Sequence, residues 1–198
     1  MSRLIPLLFA ACLAVAGCSK PADTVPFNSV DVSGSEFGKQ LALTDQYGKP
    51  RSLADFKGKV AVVFFGYTQC PDVCPTTMAD LAAIKKSLGA EGDKVQGVFV
   101  SVDPDRDTPE VLKAYMANFD PSFIALRGTA EQTKAAAQEF KVFYAKVPGK
   151  TPGSYTMDHT AGSYVFDPDG HLRLFTRYGM PSKDLAADLK RLIEGSAA

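Results

Sequence analysis

Lys59-Val60-Ala61-Val62-Val63-Phe64-Phe65 runs directly into Gly66-Tyr67-Thr68-Gln69-Cys70-Pro71-Asp72-Val73-Cys74-Pro75. The first part is a continuous β-branched and aromatic run without polar alternation, which predicts a central strand buried on both faces. Beyond the cysteines, Met78, Leu81, Ile84 and Leu88 recur at helical spacing, and a helix is expected over Thr76–Leu88. Val95–Val102 reads as the next strand, so strand, helix and strand form a right-handed βαβ unit with a parallel pair. Cys70 and Cys74 then lie in the turn at the carboxyl end of the sheet, where α/β proteins bind their ligands.

Working outward, Thr108-Pro109-Glu110 opens a second helix with a capping threonine and a first-turn proline. A short strand is expected around Phe123–Leu126, a helix over Thr129–Phe140 and an alternating strand over Val142–Val147. Pro148–Asp158 reads as a loop. Ser163–Phe166 and Leu172–Thr176 flank the turn Asp167-Pro168-Asp169-Gly170 as a hairpin, and Ser182–Glu194 forms a closing amphipathic helix. Upstream, Leu41–Thr44 and Arg51–Leu53 flank a turn and predict an N-terminal hairpin extension. The fold class is α/β, a mixed central sheet flanked by helices.

Residues 1–17 carry Arg3, a short apolar run and small residues before Cys18, the pattern of a signal peptide. The run is short for a membrane span. Val15-Ala16-Gly17-Cys18 resembles a bacterial lipobox, so Cys18 is expected to be lipidated, with an ordinary cleaved signal or an uncleaved anchor as the alternatives. Residues 18–36, with prolines and mostly small or polar side chains, read as a lipidated tether, and residues 37–198 as the folded domain. Processing removes Cys12 and modifies Cys18, leaving Cys70 and Cys74 as the thiols.

Lysine plus arginine and aspartate plus glutamate number 22 each, so the chain has no net field to draw it to nucleic acid. At the mouth of a helix, at least one of the two cysteines is expected to be partly thiolate near neutral pH, able to attack a disulfide or bind a metal. A structural disulfide is the plainer alternative, although so short a loop stabilises little. Zinc is short of ligands, because structural sites take four and the processed chain offers two thiols and two histidines. Two soft thiolates suit Cu(I), and one added imidazole extends the site to Cu(II). Of the histidines, His159 lies in a loop just before a strand, while His171 follows the Asp-Pro-Asp-Gly turn and reads as exposed or locally bonded.

Three segments together carry a resemblance: Phe65-Gly66-Tyr67-Thr68-Gln69-Cys70-Pro71-Asp72-Val73-Cys74-Pro75, Ser101-Val102-Asp103-Pro104-Asp105-Arg106-Asp107-Thr108-Pro109, and Tyr155-Thr156-Met157-Asp158-His159. In order and spacing they resemble the signature segments of the Sco/SenC family, over about Phe37 to Ile193. The resemblance implies a thioredoxin-like fold and a membrane-tethered copper protein facing the periplasm. Such a protein assists assembly of the CuA centre of cytochrome c oxidase subunit II. It further implies Cys70, Cys74 and His159 as copper ligands, a Cys70–Cys74 disulfide when oxidised, and contact with other periplasmic copper carriers or thiol reductants. The lipobox stands where many members have a transmembrane helix. The three-residue spacer between the cysteines and Asp158-His159-Thr160 differ from the thioredoxin pattern, which favours metal over general disulfide exchange, and the peroxiredoxin pattern is absent. A thiol-disulfide oxidoreductase remains the second reading, and a copper or redox sensing module the third.

Asp72, Asp103, Arg106, Asp107 and Asp158 fall in these segments. A carboxylate among them is a candidate to orient His159 through its second ring nitrogen. Turn opening by Asp103-Pro104 and capping around Asp107-Thr108-Pro109-Glu110 explain the same residues without a metal. Tyr67 and Phe65 are read as packing residues.

Overall fold

The computed structural model describes residues 26–195; the expected signal peptide and Cys18 lie outside them. Strands β1 (Val30–Asp31), β2 (Leu43–Asp45) and β3 (Pro50–Arg51) precede β4 (Val60–Gly66), and helix α1 (Val73–Ser87) leads to β5 (Val95–Ser101). Helix α2 (Pro109–Ala117), β6 (Ile124–Arg127) and α3 (Ala130–Glu139) follow. The chain ends with β7 (Tyr144–Pro148), β8 (Tyr155–His159), β9 (Gly162–Phe166), β10 (Leu172–Arg177) and α4 (Ser182–Gly195). Eight strands form one sheet in the order β1-β10-β9-β4-β5-β6-β2-β3, while β7 and β8 pair only with each other.

The opening run behaves as its composition demands. All of β4 is buried, and it pairs parallel with β5 on one side and antiparallel with β9 on the other. With no face in water, every position can be apolar, and each fully buried Val or Phe contributes about 1.5–3 kcal/mol. Val62 and Phe64 face a small cavity shared with Met78, Leu81 and Ile84 of α1 and Leu185 of α4. Phe65 points the other way and meets Phe140, just past α3, at 5.2 Å between ring centroids. Tyr164 closes that layer by donating its hydroxyl to the Phe140 carbonyl at 2.7 Å. The result is a mixed, thioredoxin-like sheet with helices on both faces.

Thr108 caps α2 by accepting from the Val111 amide, with Pro109 in the first turn, as the sequence predicts. The N-terminal hairpin and the Asp167–Gly170 turn also form where expected, Gly170 supplying the φ of +86° that the turn requires. Two expectations are corrected. The fold takes in residues before Phe37: Val30 and Asp31 pair with β10, and the backbone amides of Asn28 and Ser29 donate to the Asp188 carboxylate at 2.9 and 2.8 Å. Asp188 is fully buried, so these amides neutralise an otherwise costly carboxylate. The segment read as the loop Pro148–Asp158 instead contains β8, which pairs with β7 from Tyr144↔His159 to Pro148↔Tyr155. No helix among the described residues is long and apolar enough to cross a membrane.

Candidate metal centre

Gly66 ends β4 because nothing larger fits: a Cβ there would lie 2.9 Å from Cys74 Sγ and 2.8–2.9 Å from the rings of Phe64 and Phe99. The chain then turns, with the Cys70 amide donating to the Tyr67 carbonyl at 3.2 Å. Helix α1 begins at Val73, earlier than the expected Thr76, so Cys74 lies inside its first turn. Pro75 is tolerated there because first-turn amides need no partner within the helix. The Cys74 amide instead donates to Cys70 Sγ at 3.4 Å.

The two thiols are free and differ in exposure, Cys70 being half-buried and Cys74 fully buried. Burial pushes the Cys74 thiol far above its ordinary range, and the adjacent Cys70 adds to the shift. At Cys74 desolvation outweighs the helix dipole.

His159 is the last residue of β8 rather than part of a loop. Its Nε2 lies 3.4 Å from Cys74 Sγ, and its Nδ1 is 3.1 Å from the Thr160 carbonyl oxygen. A carbonyl can only accept, so Nδ1 carries the proton and Nε2 turns its lone pair toward the sulfur. The backbone thus does what a carboxylate was a candidate to do. Phe64 and Tyr67 hold the imidazole edge-on at 5.8 and 5.9 Å, and burial lowers its pKa, which favours the neutral ring that a metal needs. Phe65 and Tyr67 are buried as expected of packing residues.

The sulfurs of Cys70 and Cys74 and a ring nitrogen of His159 all lie within 4.8 Å of one another. A cavity of about 370 Å³, lined in part by Tyr67, Cys70, Pro71, Val73, Met157 and His159, opens onto Cys70 and His159, with Cys74 buried behind them. Two soft sulfurs and one imidazole at this spacing fit copper and leave a side open for a fourth donor. The acidic residues divide. Asp72 and Asp158 are exposed at the rim, whereas Asp103 and Asp107 are buried. Asp107 accepts from the hydroxyls of Thr68 and Ser101, each at 2.6 Å, and so ties the cysteine turn to the end of β5; burial raises its pKa. Asp103 accepts from the Tyr155 hydroxyl at 2.8 Å and pairs with Arg106. The backbone turn expected over Asp103–Asp107 is present, but it is Thr108 that caps α2, and both carboxylates reach across the fold. His171 is largely exposed, 3.6 Å from Asp167, and forms with Asp167 and Asp169 a second group of close donor atoms.

Residues 30–194 match the SCO1/SenC family. An SCO2-like protein of Rickettsia felis is 38% identical over 136 residues, covering 68% of this chain and 66% of its own length, just under two thirds. The structure of Bradyrhizobium japonicum ScoI with copper bound is 42% identical, covers 79% of this chain and 99% of that one, and superposes with a TM-score of 0.72. BsSco, described as having a disulfide switch and as a member of the Sco family of cytochrome c oxidase assembly proteins, is 27% identical with a TM-score of 0.63, covering 83% and 98%. The match to the family over nearly the whole folded region, joined to the Cys70, Cys74 and His159 donor set, establishes that this chain belongs to the SCO1/SenC family.

Proposed function

We propose that this protein carries copper on Cys70, Cys74 and His159 and delivers it during assembly of cytochrome c oxidase, to the CuA domain of subunit II. The observation that carries the reading is the convergence of three copper-suited donor atoms within 4.8 Å. The copper-bound ScoI structure and the assembly role stated for BsSco support it. The lipobox at Cys18 supports a lipid anchor holding the domain on the periplasmic side of a membrane.

In the apo protein, burial keeps the Cys74 proton on sulfur. Copper binding must displace it, so loading releases protons and strengthens as pH rises. Neutral His159 needs no such step, because Nε2 already lacks a proton. Cys70, at the open side, is the natural ligand to be exchanged for a thiolate of the recipient. The test is anaerobic copper titration of the reduced and oxidised protein, read by thiolate-to-Cu(II) absorption. Stoichiometric binding only when reduced, lost in Cys70→Ser and in Cys74→Ser, is the expected result. Weak binding indifferent to His159→Ala overturns it.

The exposure difference between the cysteines favours a second reading, a thiol-disulfide oxidoreductase acting on the CuA-site cysteines. Cys70 thiolate would attack the recipient's disulfide and release one of its thiolates. Cys74, losing its proton, would then attack Cys70 Sγ and release the second. Two electrons pass to the recipient and a Cys70–Cys74 disulfide remains. His159→Ala leaves this exchange almost intact while weakening Cu(II) binding, which separates the two readings.

A further inference from the structure

Arg106 spans the gap between the two parts of the donor set. Its Nη1 donates to Gln69 Oε1 at 3.0 Å and to the Tyr155 carbonyl at 2.9 Å, while Nε pairs with the Asp103 carboxylate. The guanidinium carbon also lies over the Tyr155 ring, 3.7 Å from its centroid, and the Tyr155 hydroxyl returns to Asp103. Gln69 immediately precedes Cys70, and Tyr155 opens the strand that ends at His159.

The strand needs such a fastening, because β7 and β8 pair only with each other. Met157 is the one buried residue of the two strands and its backbone amide donates to the Tyr67 hydroxyl, while the Lys146–Asp105 ion pair is more than half exposed and therefore weak. Asp103 is almost fully buried, so its charge is compensated chiefly by Arg106. A lysine could not replace this residue: one ammonium cannot stack on a ring and also reach three acceptors in different directions, whereas a planar fork can.

We propose that Arg106 is the positioning residue that holds the β7–β8 ribbon on the cysteine turn and so keeps His159 Nε2 facing Cys74 Sγ. The proposal rests on the copper reading of the site. Its consequence is selective. Cu(I) held by two thiolates loses little when Arg106 is replaced, whereas Cu(II), which draws on the imidazole, loses a positioned ligand. Supporting groups of this kind change metal affinity by about 10–100-fold.

The test uses the full chain with Arg106→Lys and Arg106→Gln, each alone and combined with His159→Ala. In the single variants, Cu(II) binding weakens by at least about ten-fold, its absorption and spin-resonance spectra move toward those of His159→Ala, and Cu(I) affinity changes by less than about two-fold. Added to His159→Ala, either substitution has no further effect on Cu(II), the non-additivity expected of residues acting through one ligand. In the metal-free protein, amide exchange quickens at residues 155–159 and stays unchanged along β4. Wild-type Cu(II) spectra in both single variants overturn the proposal, as does equal loss of Cu(I) and Cu(II) with faster exchange in β4, which would mark a general loss of fold. Failure of the wild-type protein to bind copper overturns the function instead, and amide exchange alone then decides whether Arg106 fastens the ribbon.

Discussion

Cys70 and Cys74 leave a strand hydrogen-bonded on both sides in the middle of an eight-stranded sheet, whereas His159 ends a two-stranded ribbon that shares no strand pair with that sheet. The sulfur side is framed by Phe64, Phe99 and Met78, all with 1% or less of their surface exposed. The ribbon contributes five-residue strands of which one residue, Met157, is buried. Of the proposed ligands, Cys74 therefore lies in the buried part of the molecule expected to open only with the whole fold, Cys70 in the half-buried turn beside it, and His159 in a part that can open locally.

The largest effect separating the two regions is expected from the core. Phe64→Ala removes a ring that touches Phe99 and faces His159, and should cost about 3–5 kcal/mol of unfolding free energy in denaturant titration. Amides of β4 should then exchange faster in step with the lost stability, whereas those of β8, which open locally, should change far less. In the wild-type protein, β8 amides should exchange through local opening while those of β4 wait for global unfolding. Equal protection of the two strands would break the comparison.

The same division marks what could be seen in the amino-acid sequence. β4 was legible because burial on both faces leaves an unbroken apolar run, and α2 because Thr108-Pro109 is a local starting signal. β8 was hidden by its setting: turn-forming residues precede it, and one buried side chain in five gives no periodicity. The raised pKa of Cys74 was not legible, because the helix dipole is a local property whereas the burial that overrides it is set by the whole fold. Asp107 is similar, since its partner Thr68 is 39 residues away and nothing in either segment announces the other. The donor set itself was legible only through the three segments taken together.

A smaller effect distinguishes the two halves by pH in the metal-free, reduced protein. Burial depresses His159 below its ordinary 6.5, so the unfolded chain takes up its proton more readily, and this contribution to stability is present above about pH 6.5 and lost as pH falls. Burial raises Cys74 above its ordinary 9.0, so the corresponding contribution is present below about pH 9 and lost as pH rises, when the unfolded thiol ionises first. Thermal unfolding across this range should show His159→Asn flattening the acid limb and Cys74→Ser the alkaline limb. A histidine variant that alters the alkaline limb would show that the two regions do not titrate independently.

The smallest effect concerns the outer edge of the ribbon, where Lys146 pairs with Asp105 at 2.6 Å and sits 4.7 Å from the Tyr155 ring centroid. Both side chains are more than half exposed, so water screens the pair and Lys146→Met should leave global stability close to wild type in denaturant titration. Tyr155 would still be held by the Arg106 guanidinium and through its hydroxyl by Asp103. Amide exchange in β8 and Cu(II) binding should therefore stay close to wild type in Lys146→Met while both change in Arg106→Lys. If the lysine variant loosens the ribbon as much as the arginine variant does, the fastening is a diffuse property of two cations around one ring, and the contrast between a buried Cys74 and a histidine carried on an outlying ribbon gives way to a graded one.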